Sequence, residues 1–208
     1  MIVRARRDAA FRHVVNAAAL SLCDTVGVLL AARMWGARLP GRVAGIDLIE
    51  PLCAALAREG MAVYFLGSQG DTAERAARAV RARVPELRVA GARDGYFSAD
   101  DDVNVAAQIA ASGAHVVFAG LGSPRQELWL ARRLSQTRCA VGIGVGGSFD
   151  VLAGNVVRAP EVWRRCNLEW LYRLVREPAR WRRQLALPRF ALLALGERLR
   201  VGLRSEIS

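Results

Sequence analysis

Eight consecutive residues, Gly120-Leu121-Gly122-Ser123-Pro124-Arg125-Gln126-Glu127, combine the parts of an anion site. Two glycines close an apolar run, the proline suits the first turn of a helix, and main-chain amides exposed there favour a phosphate. Arg125, Gln126 and Glu127 would then project near that ligand, with Gly122 lending its backbone. A well-capped crossover helix accounts for the same residues, and composition leaves both readings open. Further along, Gly142-Ile143-Gly144-Val145-Gly146-Gly147 matches GxGxxG literally. A dinucleotide fingerprint needs those glycines in a strand-to-helix turn, with an acidic residue about 20 positions later. Here the first glycines fall inside a strand and the region that follows is rich in Trp and Arg. The milder reading is that small residues, Gly147 among them, let the backbone approach a ligand or a packed neighbour.

Carboxylates supply the other candidate chemistry. Asp24 follows the apolar run Leu20–Cys23, at the carboxyl end of an expected short strand. Activating a hydroxyl in such a crevice needs a base; the competing role is the cap of the helix that follows. Asp100-Asp101-Asp102 contains a DxD, a metal-binding signature of one class of transferases. It lies just after Ser98, so the structural reading makes Ser98 an N-cap with the aspartates in the first helical turn. No metal site is expected there. The cysteines at 23, 53, 139 and 166 are widely spaced, which reads as buried thiols rather than a disulfide or metal framework.

The elements that must position these groups follow from periodicity. Ala62–Gly67, Leu87–Gly91, His115–Gly122 and Cys139–Gly146 are short apolar runs that read as buried strands, with helices between them, one from Asp71 to about Arg83 and another opening at Pro124. Continuous apolar strands linked by helices predict a parallel sheet covered on both faces, a Rossmann-like α/β fold. Such sheets bind ligands at the carboxyl ends of their strands. Upstream, helices are expected at Ala9–Asn16, Thr25–Met34 and Leu48–Arg58. Residues 1–160 form the expected core and 161–208 a helical appendage.

Charge sets the appendage apart. The 208 residues carry a net charge of +11, and all 30 basic residues are arginines. The absence of Lys excludes a P-loop phosphate lysine and Schiff-base chemistry. Residues 161–208 hold eleven Arg against five Glu, interleaved with Trp163, Trp170 and Trp181, and an excess of that kind implies an anionic partner. The tail fits a membrane interface, with Trp at headgroup depth and Arg on lipid phosphate. It also fits a nucleic-acid arm or a face between copies in a homo-oligomer; its apolar content favours the membrane over nucleic acid. No run of about 18 apolar residues would span a bilayer.

Taken in order, the motifs are Asp24 with Gly27-Val28, Arg42-Val43-Ala44-Gly45-Ile46-Asp47, Phe65-Leu66-Gly67, Asp94-Gly95-Tyr96-Phe97-Ser98, GLGSPRQE, GVGGSFDVLAGNVVRAP and LEWLYRLVREPARWRR. This set resembles the WecG/TagA/CpsF family of glycosyltransferases from about Arg7 to Leu193. The resemblance implies a Rossmann-like core with a C-terminal appendage. It further implies transfer of a sugar from a UDP donor, with inversion and with neither metal nor cofactor. The acceptor would be an undecaprenyl-diphosphate-linked sugar, in cell-surface polysaccharide synthesis at the cytoplasmic face of the membrane. N-acetylmannosamine, its uronic acid and glucose all occur as transferred sugars in the family.

By that resemblance Asp24 is the catalytic base, and Arg42 and Gln126 belong to the donor pocket, where Arg42 would stabilise the leaving diphosphate. Tyr96 and Asp150 line the uridine part, and Arg173, Arg180 and Arg183 meet the acceptor diphosphate and close over the site. Asp24-Thr25 stands where the family usually has Asp-Gly, which changes the turn beside the base. The family also carries an earlier segment with a threonine-asparagine loop that has no counterpart after Met1. The expectation that follows is an N-terminally truncated core, and the alternative function is a catalytically weak UDP-binding module.

Overall fold

A computed structural model describes residues 1–166, 168–176, 189–190 and 192–196. The chain opens with α1 (Ile2–Ala5), α2 (Ala9–Ala17), α3 (Val26–Met34) and α4 (Gly45–Arg58). Strands and helices then alternate: β1 (Ala62–Gly67), α5 (Thr72–Arg83), β2 (Arg88–Arg93), α6 (Asp102–Ser112), β3 (Val116–Gly120), α7 (Arg125–Arg133), a 3-10 turn at Leu134–Thr137 and β4 (Val141–Gly144). Three short helices follow, α8 (Ser148–Leu152), α9 (Glu161–Arg165) and α10 (Glu169–Arg176). Among the described residues no helix is long and apolar enough to cross a membrane.

Two compact units emerge. One comprises Ala10–Ala18 and Gly45–Val157; the other comprises Met1–Ala9, Ala19–Ala44 and the described residues from Arg158 onward.

The first unit is the Rossmann-like α/β layer structure the apolar runs predict. Its sheet is wholly parallel, in the order β2-β1-β3-β4. Alternation of side chains along each strand explains why those runs are apolar throughout. Val63, Phe65, Val116 and Phe118 point to the face covered by Ile49 and Cys53 of α4, Ala73 to Val80 of α5 and Phe149 of α8. Tyr64, Leu66 and Val117 point to the opposite face, under Val105, Ala106 and Ile109 of α6 and Trp129 of α7. With β1 central, the connection through α5 leads one way and that through α6 crosses back, so the sheet reverses its winding between β1 and β3. Ligand crevices of doubly wound folds lie at that reversal, beyond the carboxyl ends of the strands.

The reversal point is unusually tight. Gly67 takes φ +141°, and a Cβ there would lie 2.4 Å from the carbonyl carbon of Gly120. Only glycine fits, because both the dihedral and the space forbid a side chain. The Ser68 amide then donates to the Gly120 carbonyl (3.0 Å) and the Gly95 amide to the Ser68 carbonyl (2.8 Å), so loops from three strands are stitched through backbone alone.

The sequence reading is corrected at two places. Leu20–Cys23 forms no strand: Leu20 and Leu22 are exposed, and Cys23 takes part in a lone backbone bond from the Val43 amide (2.9 Å) rather than a ladder. A four-residue run with no partner strand has nothing to pair its amides. The thiols also divide: Cys53 and Cys139 are buried, whereas Cys23 is half-buried and Cys166 exposed. Burial pushes the Cys53 thiol up to about 12, with the Glu50 carboxylate adding to it, and burial likewise raises Cys139.

Two outcomes are expected. Gly67→Ala lowers the unfolding free energy by about 2 kcal/mol or more in denaturant titration, from strain and overlap together. Iodoacetamide at neutral pH labels native protein at Cys166 and, more slowly, Cys23, while Cys53 and Cys139 react only after denaturation; mass spectrometry of the digested chain reads the sites.

Candidate active site

The carboxyl ends of the four strands carry the loops that the sequence nominates, and each loop is fixed by identifiable contacts. After β1, Ser68 adopts a left-handed backbone (φ +55°) and its Oγ lies 3.5 Å from Oδ2 of Asp150. Asp150 sits in the first turn of α8, directly after the Gly146-Gly147 turn that ends β4. The segment following α8 is held in turn by Asn155, whose amide nitrogen donates to the Thr72 hydroxyl (3.1 Å) and whose oxygen accepts from Arg75, both on α5. Asn155 and Thr72 are structural anchors of the crevice that spacing alone does not reveal; the GNVV run is their one sequence trace.

Gln126 is buried, and both ends of its amide are engaged. Its Oε1 accepts from the Gly146 amide (3.0 Å) and its Nε2 donates to Oε1 of Glu127 (2.9 Å). A Cβ at Gly144 would stand 2.6 Å from that Nε2. Gly144 of the GxGxxG match thus makes room for a glutamine that ties α7 to the end of β4. Gly122, at φ +76°, ends the β3 loop and its carbonyl accepts from the Gln126 amide (2.9 Å). Gly147, immediately before α8, has only the Asp150 carboxylate near its missing Cβ, at 3.7 Å.

The loop after β2 presents Tyr96, which is 74% exposed. Its amide is satisfied by Oδ1 of Asp94 (2.7 Å), an Asx turn that explains the Asp-Gly-Tyr spelling. The expected Ser98 cap takes a different form: Ser98 Oγ accepts from the Asp101 amide (3.3 Å), and α6 begins only at Asp102. Asp101 and Asp102 of the DxD are committed to arginines, Asp101 to Arg93 (3.3 Å) and Asp102 to Arg132 (3.3 Å) and Arg133 (3.9 Å).

In the second unit, Asp24 is not spent as a helix cap. Thr25 precedes α3, and the Asp24 carboxylate is 59% exposed. Arg42 spans the turn beside it: Nε donates to the Asp24 carbonyl (2.8 Å) and Nη2 lies 3.7 Å from the Asp24 carboxylate. The same Nη2 makes its closer contact, 2.9 Å, with Oε2 of Glu169 on α10. Glu169 is 7% exposed, and it went unnoticed in the sequence because a glutamate at the start of a helix reads as an ordinary dipole-compensating residue. Arg173 lies on α10, with its side chain outside the described residues; Arg180 and Arg183 fall outside them altogether.

Residues 1–203 match the glycosyl transferase WecG/TagA/CpsF family. This chain belongs to that family. It is a glycosyltransferase, and the resemblance carried by the ordered motifs is upheld. The chain is 36% identical over 191 residues to the N-acetylglucosaminyldiphosphoundecaprenol N-acetyl-beta-D-mannosaminyltransferase of Bacillus subtilis (strain 168), a match that covers 92% of this chain and 74% of the relative. The protein of the same name from Bacillus spizizenii (strain W23) is 37% identical over the same share of each. The motif order thus identifies the enzyme class.

The Arg42–Glu169 pair joins positions 127 residues apart. Removing Glu169 takes from Arg42 its closer carboxylate and leaves it the Asp24 contact at 3.7 Å. Glu169→Ala is expected to cost about 1–3 kcal/mol of unfolding free energy, less than a fully buried pair because Arg42 keeps some solvent. In a double-mutant cycle with Arg42→Met the two losses fail to add, and additive losses would show the pair to be uncoupled.

Proposed function

We propose that this glycosyltransferase moves a sugar of the N-acetylmannosamine type from a UDP donor to an undecaprenyl-diphosphate-linked N-acetylglucosamine acceptor. The observation that carries this reading is the match to two mannosaminyltransferases over 92% of the chain. In this reading the reaction is a single displacement with inversion. The acceptor hydroxyl attacks the anomeric carbon, its proton passes to the Asp24 carboxylate, and the bond to the diphosphate oxygen breaks as UDP leaves. A base must be reachable from solvent, which suits a carboxylate more than half exposed and followed by Thr25 as the residue that precedes the helix. Arg42, oriented by the Asp24 carbonyl and by Glu169, takes the developing charge as a fixed cation, a role that needs no metal. The arginine pairings of Asp101 and Asp102 favour the same metal-independent chemistry.

Donor binding is proposed for the strand-end loops. Tyr96 offers a ring for the uracil, Asp150 a carboxylate for the nucleoside, and the amides near Gly122 and Gly147 suit the diphosphate. Gln126 acts by holding the Gly146 turn. Arg173, Arg180 and Arg183 are proposed to meet the acceptor diphosphate. The appendage from residue 161 is proposed to rest on the inner membrane face, a role favoured by the exposed apolar side chains Val162, Trp170, Val175 and Leu192 among arginines.

Two measurements test this. With UDP-N-acetylmannosamine and a short-prenyl diphosphate-linked N-acetylglucosamine, Asp24→Asn is expected to lower kcat by about 10²–10⁴-fold while UDP affinity stays near that of the parent protein. EDTA leaves the rate unchanged. UDP binding without any transfer, in the parent protein and the variant alike, would instead identify a nucleotide-binding module. In co-sedimentation, the protein is expected to bind vesicles containing phosphatidylglycerol and to release them as salt rises, with little binding to neutral phosphatidylcholine.

A further inference from the structure

Arg125 belongs to the GLGSPRQE run, where the sequence places it near a phosphate held by main-chain amides, yet its guanidinium is occupied by the loop after β2. Nη1 donates to the Gly95 carbonyl (2.6 Å) and Nη2 to the Phe97 carbonyl (2.9 Å), the two carbonyls that flank Tyr96. The guanidinium plane also rests on the Phe97 ring, 4.6 Å from its centroid, and Phe97 packs edge-on against the buried Trp129 of α7. Bidentate donation to carbonyls on either side of one residue leaves that residue's backbone little freedom. From below, the Asp94 carboxylate holds the Tyr96 amide and the Ser68 carbonyl holds the Gly95 amide. The Tyr96 side chain is left protruding from the held part of the loop.

We propose that Arg125 is a positioning residue: it fixes the Tyr96 ring as a ready-made stacking surface for a nucleobase, and it does not serve as a ligand of the donor diphosphate. A phosphate would have to compete for donors already committed to two carbonyls and a ring face. An exposed aromatic on a short loop stacks well only when its ordering is completed during folding rather than on binding. The identity of the ligand as a uracil nucleotide rests on the function proposed above; the loop-holding role does not.

The test separates the two roles by what the ligand carries. Arg125→Lys and Arg125→Met are compared with the parent protein for uridine, followed by NMR titration, and for UDP, followed by calorimetry. A positioning role weakens uridine and UDP by a common factor, about five- to twentyfold for a stacking contact. Tyr96→Ala in the Arg125→Met background then adds little, because the two act on one contact. Loss of UDP affinity with uridine binding untouched would overturn the proposal and make Arg125 a diphosphate ligand. Hydrogen exchange gives a readout independent of ligand: the Gly95 and Tyr96 amides exchange faster in both variants while the β1 and β3 amides keep their protection. Unchanged exchange at those amides would also overturn it. Should the parent protein bind neither uridine nor UDP, the donor assignment fails, and the exchange measurement still decides whether Arg125 holds the loop.

Discussion

Everything at the ligand-facing end of the sheet depends on two backbones that pass almost in contact, Gly67 leaving β1 and Gly120 leaving β3. A parallel sheet buried on both faces has nowhere along its length for a polar group, so function is displaced to the strand ends. At this end the chain must also reverse the direction in which it winds. The glycine contact lets the β1 and β3 exits lie close enough for Ser68 to bond both to Gly120 and to Gly95. Gln126 and Arg125 then extend the same fastening outward, one to the β4 turn and one to the β2 loop. The crevice is thus assembled by side chains of a single helix start reaching to its neighbours on either side.

Much of this was legible in the residues. The four apolar runs predicted the four strands, and full burial on both faces holds for the inner pair, β1 and β3, while the edge strands β2 and β4 are only partly covered. The ends were less accurate: β2 extends to Arg93, past the expected Gly91, and β4 is confined to Val141–Gly144. Leu20–Cys23 failed because an apolar run signals a wish for burial, not a strand to pair with. Within the GxGxxG match, Gly144 leaves the space taken by Gln126 and Gly142 the space taken by Leu130 and Leu134.

The couplings within the candidate site left no mark in the sequence. Asp24 and Arg42 were chosen from motif order, but the contact that orients Arg42 comes from Glu169, more than a hundred residues away. No periodicity encodes such a pair. Arg125 shows the converse. Its type and position put it near a phosphate, whereas its guanidinium donates to two main-chain carbonyls. Residue type limits what a group can donate, and only packing determines to whom.

The division into two units bears on how the chain is completed during synthesis. The Rossmann-like unit is almost contiguous, since Gly45–Val157 supplies its whole sheet, and its contacts are available once that stretch has left the ribosome. The other unit is split, with Met1–Ala9 and Ala19–Ala44 made before the sheet and the described residues from Arg158 onward made after it. Asp24 and Arg42 therefore emerge before the strands, yet Glu169 emerges only after them. Closing so long a loop is entropically slow compared with local pairing. The Arg42 guanidinium thus acquires its closer carboxylate only after every residue of the sheet has been made.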